Sequence, residues 1–312
     1  MTLSYLPRLV VLSLALFGLI HLLTGAALLF MAPWVMRRME GERPAPNLLF
    51  FLRMLPTVLG FSAIAALCVP SYLELEPEGT LERVGWVGLL GAAVGVAICC
   101  ISMVRALSAL RRSAAWVRHY EERGLAANLP GESLPVLVVK DSGPVLALAG
   151  IFRPRLVISQ GVLDVLPAAQ LTAALRHEHG HRIAHDNLKR LLVLLAPVAP
   201  AWLDRAWKNH VEWAADDAAA REGLSLAEAL VQVARMTSPP ERLALVSSFF
   251  ADGADISARV ERLLEAAAGE TRMSGPSRTS VRIAVMIALP PAAAALYATL
   301  PAVHEALEYL IR

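Results

Sequence analysis

His177-Glu178-His179-Gly180-His181 is the stretch of sequence from which the rest of the chain can be interpreted. It has the pattern HExxH. On an α-helix, residues i and i+4 lie on one face, so the imidazoles of His177 and His181 can bind the same metal ion. Glu178 then lies beside the open coordination position, where a carboxylate can take a proton from metal-bound water. The pattern therefore predicts a zinc-dependent hydrolase.

A carboxylate pair downstream supplies the rest of the predicted site. Glu212 and Asp216 are four residues apart in an Ala-rich segment, which places them on one helical face. Two histidines and one glutamate form an established ligand set for a catalytic zinc ion, so we predict Glu212 as the third ligand. Asp216 is predicted to accept a hydrogen bond from the far ring nitrogen of His177. One catalytic Zn²⁺ ion is the predicted cofactor.

Polar residues near the motif leave alternatives open. Asp186 either bonds a neighbouring element or marks a turn with Asn187. His185 is a minor alternative ligand; as a closed fourth ligand it would make the zinc structural, in a non-catalytic membrane signal transducer or scaffold. His210 faces away from Glu212 on its helix, yet it is also a candidate for contacting a substrate oxyanion.

The composition indicates a membrane protein. The chain is 56% hydrophobic and 18% charged, which is too apolar for an ordinary soluble domain. Four segments approach or exceed the roughly 20 apolar residues that a membrane-spanning helix needs: Leu9–Met31, Leu48–Val69, Val84–Val104 and Val281–Val303. A fifth apolar segment, Leu191–Leu203, is too short to span a bilayer and is interpreted either as a structure dipping into one leaflet or as core.

These segments divide the chain into three parts. Residues 1–104 hold three membrane helices, residues 105–280 form a cytoplasmic zinc domain, and residues 281–312 form a fourth helix with a short outer tail. Arginines follow the first and third helices, whereas glutamates dominate the loop between the second and third. The positive-inside rule then places the zinc domain in the cytoplasm and both termini outside, in the cell (inner) membrane.

The predicted partners are a protein substrate and the lipid bilayer. Gly91 and Gly95 form a GxxxG pattern that permits close packing either within one subunit or in a homodimer. The formal net charge is only +2, and there is no basic stripe with interleaved aromatic residues, so nucleic acid is not a predicted partner.

The zinc domain is predicted to be α+β, with a small sheet before the motif helix. Leu134–Val139 and Val145–Ser159 have the composition of two or three short strands, and Leu125–Ser133 that of a polar connection. An exposed strand can bind an extended peptide through its backbone. The candidate for this edge strand is Pro144, Val145, Leu146, Ala147, Leu148, Ala149 and Gly150; the alternative is a buried strand.

With these residues identified, the chain resembles the BlaR/MecR-type membrane metallopeptidases, a group of gluzincins that sense antibiotics. The resemblance implies that His177, His181 and Glu212 bind zinc and that Glu178 is the catalytic base. Members cleave cytoplasmic repressors, and some cleave themselves. The resemblance rests on four segments: GIFRPRLVIS at 150–159, LRHEHGHRIAHDN at 175–187, EWAADDAA at 212–219 and SFFADGADISARVERLL at 248–264.

One departure affects the expected signal. Receptors of this type have an extracellular β-lactam-binding domain after the fourth helix, whereas this sequence ends at Arg312. We therefore expect a signal to arrive through the membrane helices, a partner or the substrate itself. The nearest rival resemblance is to the HtpX-like membrane proteases, which share HExxH, a downstream glutamate and four helices, and which serve membrane quality control.

Overall fold

The computed structural model describes most of the chain. The described residues are 2–39, 46–77, 82–127, 135–141, 143–197, 199–219, 223–236, 246–248, 256–268 and 299–311. They form a mainly helical structure with a small mixed sheet between the third long helix and the helix that contains HExxH.

Within the described residues, three helical segments are long and apolar enough to cross a membrane. They are α1 (Tyr5–Met39), the continuous run of α2 (Pro46–Ala63), a π-helical turn (Ile64–Cys68) and α3 (Val69–Leu75), and finally α4 (Trp86–Arg123). These agree with the first three predicted membrane segments. Most of the fourth predicted segment, residues 281–298, lies outside the described residues; a helix, α11, follows at Leu300–Ile311.

The glycines of α4 pack against α1 of the same chain. A Cβ atom on Gly18 would lie 2.9 Å from the carbonyl oxygen of Gly91, and one on Gly95 would overlap the carbonyl oxygen of Leu14. Only glycine lets the two backbones approach this closely. Of the two roles that the GxxxG pattern permits, packing within one subunit is the one this structure shows. Two very short strands, β1 (Thr2–Leu3) and β2 (Glu82–Arg83), pair near the start of α4.

A five-stranded sheet follows α4. Its strands are β3 (Gly124–Ala127), β4 (Val136–Val139), β5 (Leu146–Ala149), β6 (Arg155–Ser159) and β7 (Val246–Ser248). The spatial order is β3-β4-β6-β5-β7, with β4 and β6 parallel and the other neighbours antiparallel. Strands β4, β5 and β6 lie inside the two segments predicted as strands.

Two features of the sheet differ from the prediction. The first three residues of the predicted polar connection Leu125–Ser133 belong instead to strand β3, which pairs antiparallel with β4 directly after α4. The segment Pro144–Gly150 does contain a strand, but it is not an edge. Antiparallel pairing with β6 on one side and with β7 on the other occupies both of its edges, and β7 is the outer strand. The pairing partner β7 comes from nearly 100 residues further along the chain, so local sequence gave no sign of it.

The helices that follow β6 are α5 (Gln160–Val165), α6 (Ala168–Ile183), α7 (Asp186–Leu194), α8 (Ala201–Ala218), α9 (Gly223–Ala234) and α10 (Ile256–Ala267). Helices α5, α6, α9 and α10 share an apolar core with one face of the sheet, and α7 and α8 pack against α6. The core includes Leu156 and Ile158 of β6, Ala173 of α6 and Leu226 and Leu230 of α9. This core holds α6, the helix with the HExxH pattern, at a fixed place behind the sheet.

The short apolar segment Leu191–Leu203 forms the corner between α7 and α8. Val193 and Leu203 are buried, and they pack with Leu49 of α2 and with Trp207 of α8. The corner therefore lies against the second candidate membrane helix. Its packing is that of a core, which was one of the two interpretations of this segment; a position inside a leaflet remains a prediction.

Candidate metal centre

Two turns of α6 and one of α8 bring three metal-ligating side chains together. The Nε2 atoms of His177 and His181 are 3.1 Å apart, and each lies 3.6 Å from a carboxylate oxygen of Glu212. Donor atoms of the three residues all lie within 4.8 Å of one another. All three side chains are buried. This is the group of residues that the sequence predicted as the zinc ligands.

The far nitrogen of each histidine faces a carboxylate. Nδ1 of His177 lies 3.0 Å from Oδ1 of Asp216, and Nδ1 of His181 lies 2.8 Å from Oδ2 of Asp186. A carboxylate at Nδ1 favours the tautomer with the proton on that atom, which leaves the Nε2 lone pair directed at the metal position. Asp216 occupies the place predicted for it. Asp186, whose role was open, is the corresponding partner of His181.

The turn after α6 is shaped by two residues that flank Asp186. His185 has a φ of 54°, a left-handed conformation that is uncommon outside glycine, and it allows α7 to begin at once in a new direction. Asn187 donates hydrogen bonds from Nδ2 to the carbonyl oxygens of Leu148 (3.0 Å) and Gly150 (3.1 Å). These contacts tie the start of α7 to strand β5 and so fix the position of Asp186.

The other histidines near the motif are not part of the metal group. His185 is exposed, and among the residues that the structure describes the group consists of His177, His181 and Glu212. Nδ1 of His210 lies 2.8 Å from the carbonyl oxygen of Ala206 on its own helix. In this structure His185 therefore does not occupy a fourth coordination position at the metal group.

Glu178 is buried beside the ligand group without a hydrogen-bond partner. The residue is 1% exposed, and neither of its carboxylate oxygens bonds any described residue. Burial raises the pKa of this carboxyl group to about 7, although the nearby charges of His181 and His177 lower it. A carboxyl group with such a pKa can accept and release a proton near neutral pH.

The charges of the ligand group balance one another in the protein alone. Burial lowers the pKa of His181, but the negative charge of Glu212 and the hydrogen bond that Nδ1–H donates to Asp186 outweigh it and raise this pKa to about 10. Burial raises the pKa of Glu212, but the charge of His181 and contacts with both histidines hold it well below its usual range. A divalent ion between these donors would replace the proton on His181. Two imidazoles, one carboxylate and a buried unpaired glutamate fit a zinc ion.

Gly180 lets the two ligand-bearing helices approach each other. A Cβ atom at this position would lie 3.1 Å from the Cβ of Ala218 and 3.2 Å from the Cα of Ala215. The glycine inside HExxH therefore serves the packing of α6 against α8, which places Glu212 opposite the two histidines.

Sequence reasoning missed Arg259. This arginine of α10 is 1% exposed, and it donates to both oxygens of Asp216, from Nε at 3.0 Å and from Nη2 at 2.6 Å. Its Nη1 lies 3.4 Å from Oε2 of Glu212. Burial raises the pKa of Asp216, but Arg259 and His177 lower it to about 2. The one available signal was an arginine on the apolar face of α10, in line with Ile256 and Leu263.

A second arginine and a cavity border the site. Nη2 of Arg190, on α7, donates to Oε1 of Glu212 at 3.4 Å, and its charge lowers the pKa of Glu178. A cavity of about 610 Å³ has His181 in its lining. Its apolar lining includes Leu148, Phe152 and Ile183, and the last two side chains are well exposed.

The comparisons with known proteins agree with this geometry. No curated protein matches the chain. Residues 112–239, which include the HExxH helix and Glu212, match peptidase family M48. That family is zinc-dependent, and the match covers the region in which the candidate ligands lie together. The central region of this chain is thus similar to the M48 metallopeptidases.

Proposed function

We propose that this chain is a membrane-bound zinc metalloendopeptidase. The observation that supports it best is the arrangement of His177, His181 and Glu212, whose donor atoms lie within 4.8 Å of one another next to the buried Glu178. The similarity of residues 112–239 to family M48 supports the same reaction class. The three long apolar helices support a membrane location.

The roles of the side chains follow from their positions. His177, His181 and Glu212 would hold one zinc ion, and Asp216 and Asp186 keep the two imidazoles oriented. When bound, zinc supplies a Lewis acid and a water of lowered pKa. Glu178 would take a proton from the attacking water and pass it to the amine that leaves as the C–N bond of the peptide breaks. Its burial matches this task, since a carboxylate without hydrogen-bond partners is a better base than a solvated one.

Arg190 is our candidate for stabilising the oxyanion of the reaction. It lies beside Glu212 and close enough to Glu178 to lower its pKa, so its positive charge is on the side where the base acts. Its side chain is only 11% exposed, and in such surroundings a charge acts more strongly than in water.

We further propose that the substrate is a cytoplasmic or membrane-associated protein that is cleaved as part of a signalling process, with a transcriptional repressor as one example and the chain itself as another. The cavity beside His181 has an apolar wall formed by Leu148, Phe152 and Ile183, which suits an apolar substrate side chain next to the cleaved bond. Substrate proteins with an apolar residue at this position are therefore expected.

The variant Glu178→Gln tests this proposal. It keeps the shape of the side chain and removes the base, so the purified protein should retain zinc while cleavage disappears. Membrane and cytosolic proteomes of cells with either form should then differ in a small set of fragments that depend on Glu178. Unchanged cleavage in the variant would remove Glu178 from its role.

The same comparison distinguishes the rival functions. Many unrelated fragments of damaged membrane proteins would indicate quality control, as in the HtpX-like proteases. An absence of fragments that depend on Glu178, together with tightly bound zinc, would indicate a structural metal in a signal transducer or scaffold.

A further inference from the structure

Helix α8 has two neighbouring stripes of buried side chains. Leu203, Trp207 and Val211 form one stripe, and they pack in a cluster with Leu49 of α2. Glu212 begins the other stripe, which faces the metal centre. Because Val211 and Glu212 are adjacent in sequence, the candidate ligand lies directly beside the seam between α8 and the second candidate membrane helix. A shift of α8 on α2 would therefore also move Glu212, which the packing of α8 against Gly180 places opposite the two histidines.

A buried arginine of α2 bonds to both helices that follow the HExxH helix. Arg53 is 1% exposed. Its Nε donates to Oδ1 of Asp204 at 2.5 Å, and its Nη2 donates to the carbonyl oxygen of Val193 at 3.5 Å. Asp204 lies in the first turn of α8, and Val193 lies near the end of α7. One guanidinium group thus joins the candidate membrane helix to the two segments that bear Arg190 and Glu212.

These polar bonds give the seam a fixed register. Apolar packing is not directional, so Leu203, Trp207 and Val211 alone would tolerate small shifts of α8 along α2. A buried guanidinium tolerates them poorly, because its charge must stay paired. Asp204 precedes Glu212 by eight residues, or about 12 Å along a rigid helix. A shift of Asp204 along the helix axis therefore moves Glu212 by a similar distance, because both residues belong to α8.

We propose that Arg53 is a positioning residue through which the second candidate membrane helix sets the place of Glu212 in the metal centre. The inference rests on the proposed function, and it adds a route for regulation: a movement of α2 in the bilayer changes the geometry and affinity of the metal site. In this proposal Arg53 acts through α8 and touches neither the substrate nor the metal.

The test compares Arg53→Gln, Asp204→Asn and the double variant in the full chain, reconstituted in lipid nanodiscs. Cobalt(II) in place of zinc reports ligand geometry through its visible absorption. Each single variant should alter that spectrum and weaken zinc binding about tenfold, the lower end of the loss seen when the support of a ligand is removed. The double variant should be little worse than either single one, because both remove the same contact. Arg53→Lys should restore part of the affinity.

Arg8→Gln is the matched control. Arg8 is also buried in the helical bundle, where it pairs with Glu76 and Tyr72 rather than with α8. This variant should lower stability without changing the cobalt spectrum. Wild-type spectra and zinc affinities in both Arg53→Gln and Asp204→Asn would overturn the inference, as would equal changes in Arg8→Gln.

A failure of the proposed function would show itself separately, as wild-type protein without stoichiometric metal. The unfolding free energies of the same variants would then test whether Arg53 and Asp204 connect α2 to α8. Effects of Arg53→Gln and Asp204→Asn that simply add would overturn it, whereas non-additive effects would support it.

Discussion

At the scale of single residues, the candidate site consists of three buried side chains from two helices, His177 and His181 of α6 and Glu212 of α8. Two histidines and a glutamate in HExxH, and two carboxylates four residues apart downstream, predict side chains on facing helices, and the structure brings His177, His181, Glu212 and Asp216 together. Arg259 was not predicted, because its contact with Asp216 spans 43 residues and follows no local pattern. The role of Asp186 was not decided from the sequence, because the side chain of a residue at the end of a helix can point in several directions.

Glu178 should make the metal-free protein sensitive to pH. Its pKa is about 7 in the folded protein against an ordinary value of 4.5, so ionising it in the folded state is unfavourable. Stability is then unaffected below pH 4.5 and is lost as the pH rises to 7. A shift of this size corresponds to about 3 kcal/mol. Metal-free Glu178→Gln should be more stable than the wild type by about that amount at pH 8.

Urea unfolding of both proteins in detergent with a chelator, at pH 8 and near pH 4.5, measures this difference. The gap should shrink to nearly zero at the lower pH. An equal or larger gap at low pH would mean that the two side chains differ in packing rather than in charge.

Arg190→Gln tests the proposed oxyanion donor. Loss of one such donor typically costs a hundredfold or more, so we expect kcat to fall about a hundredfold. KM and zinc content should stay close to those of the wild type. Steady-state kinetics on a peptide substrate and metal analysis measure these quantities, with Arg205→Gln, an exposed arginine of α8, as control. A loss of zinc with little direct effect on kcat would instead make Arg190 a support of Glu212.

At the scale of helices and strands, the long apolar helices and strands β4, β5 and β6 were predicted, whereas strands β3 and β7 were not. Most of the third predicted membrane segment, Val84–Val104, lies in α4, which is one helix of 38 residues. Strands β3 and β7 have the sequences GLAA and VSS, which lack the run of β-branched residues that marks β4 (VLVV) as a strand. Because β7 pairs with β5, the outer edge predicted for Pro144–Gly150 is occupied.

Gly180→Val should separate the two ligand-bearing helices. The added methyl groups would meet Ala215 and Ala218 of α8, so α8 must move and Glu212 with it. We expect zinc affinity to fall about tenfold or more, as when the support of a ligand is lost. A zinc titration with a competing chelator measures the effect. Gly223→Val is the control, because the nearest atom to a Cβ there is 3.8 Å away; equal losses in both variants would refute the explanation.

At the scale of the whole molecule, the sequence predicted a membrane bundle joined to a zinc domain. Three of the predicted membrane segments are helices long enough to cross a bilayer. The third, α4, continues without a break to Arg123, where the sheet of the zinc domain begins. The sequence could not show that α2 packs on α8, because Arg53 and Asp204 are 151 residues apart and neither belongs to a motif. Domain contacts of this kind depend on tertiary packing alone.

The charge pattern of the loops predicts the orientation of the molecule. A reporter fused after Arg312 should be exposed outside the cytoplasm. In a variant without the three native cysteines, Gln160→Cys lies on an exposed position of the zinc domain and should resist a membrane-impermeant thiol reagent added to intact cells. Labelling of this cysteine from outside, or a cytoplasmic reporter at the C-terminus, would reverse the orientation.

The central claim is that one zinc ion is held by two imidazoles and one carboxylate, with a position left for water. X-ray absorption at the zinc edge, on the full chain purified in detergent, measures this directly. We expect one zinc ion per chain, two histidine ligands, the remaining ligands oxygen, and a loss of the metal in Glu212→Ala. A third protein nitrogen among the ligands, or a chain that binds no stoichiometric zinc, would contradict the account.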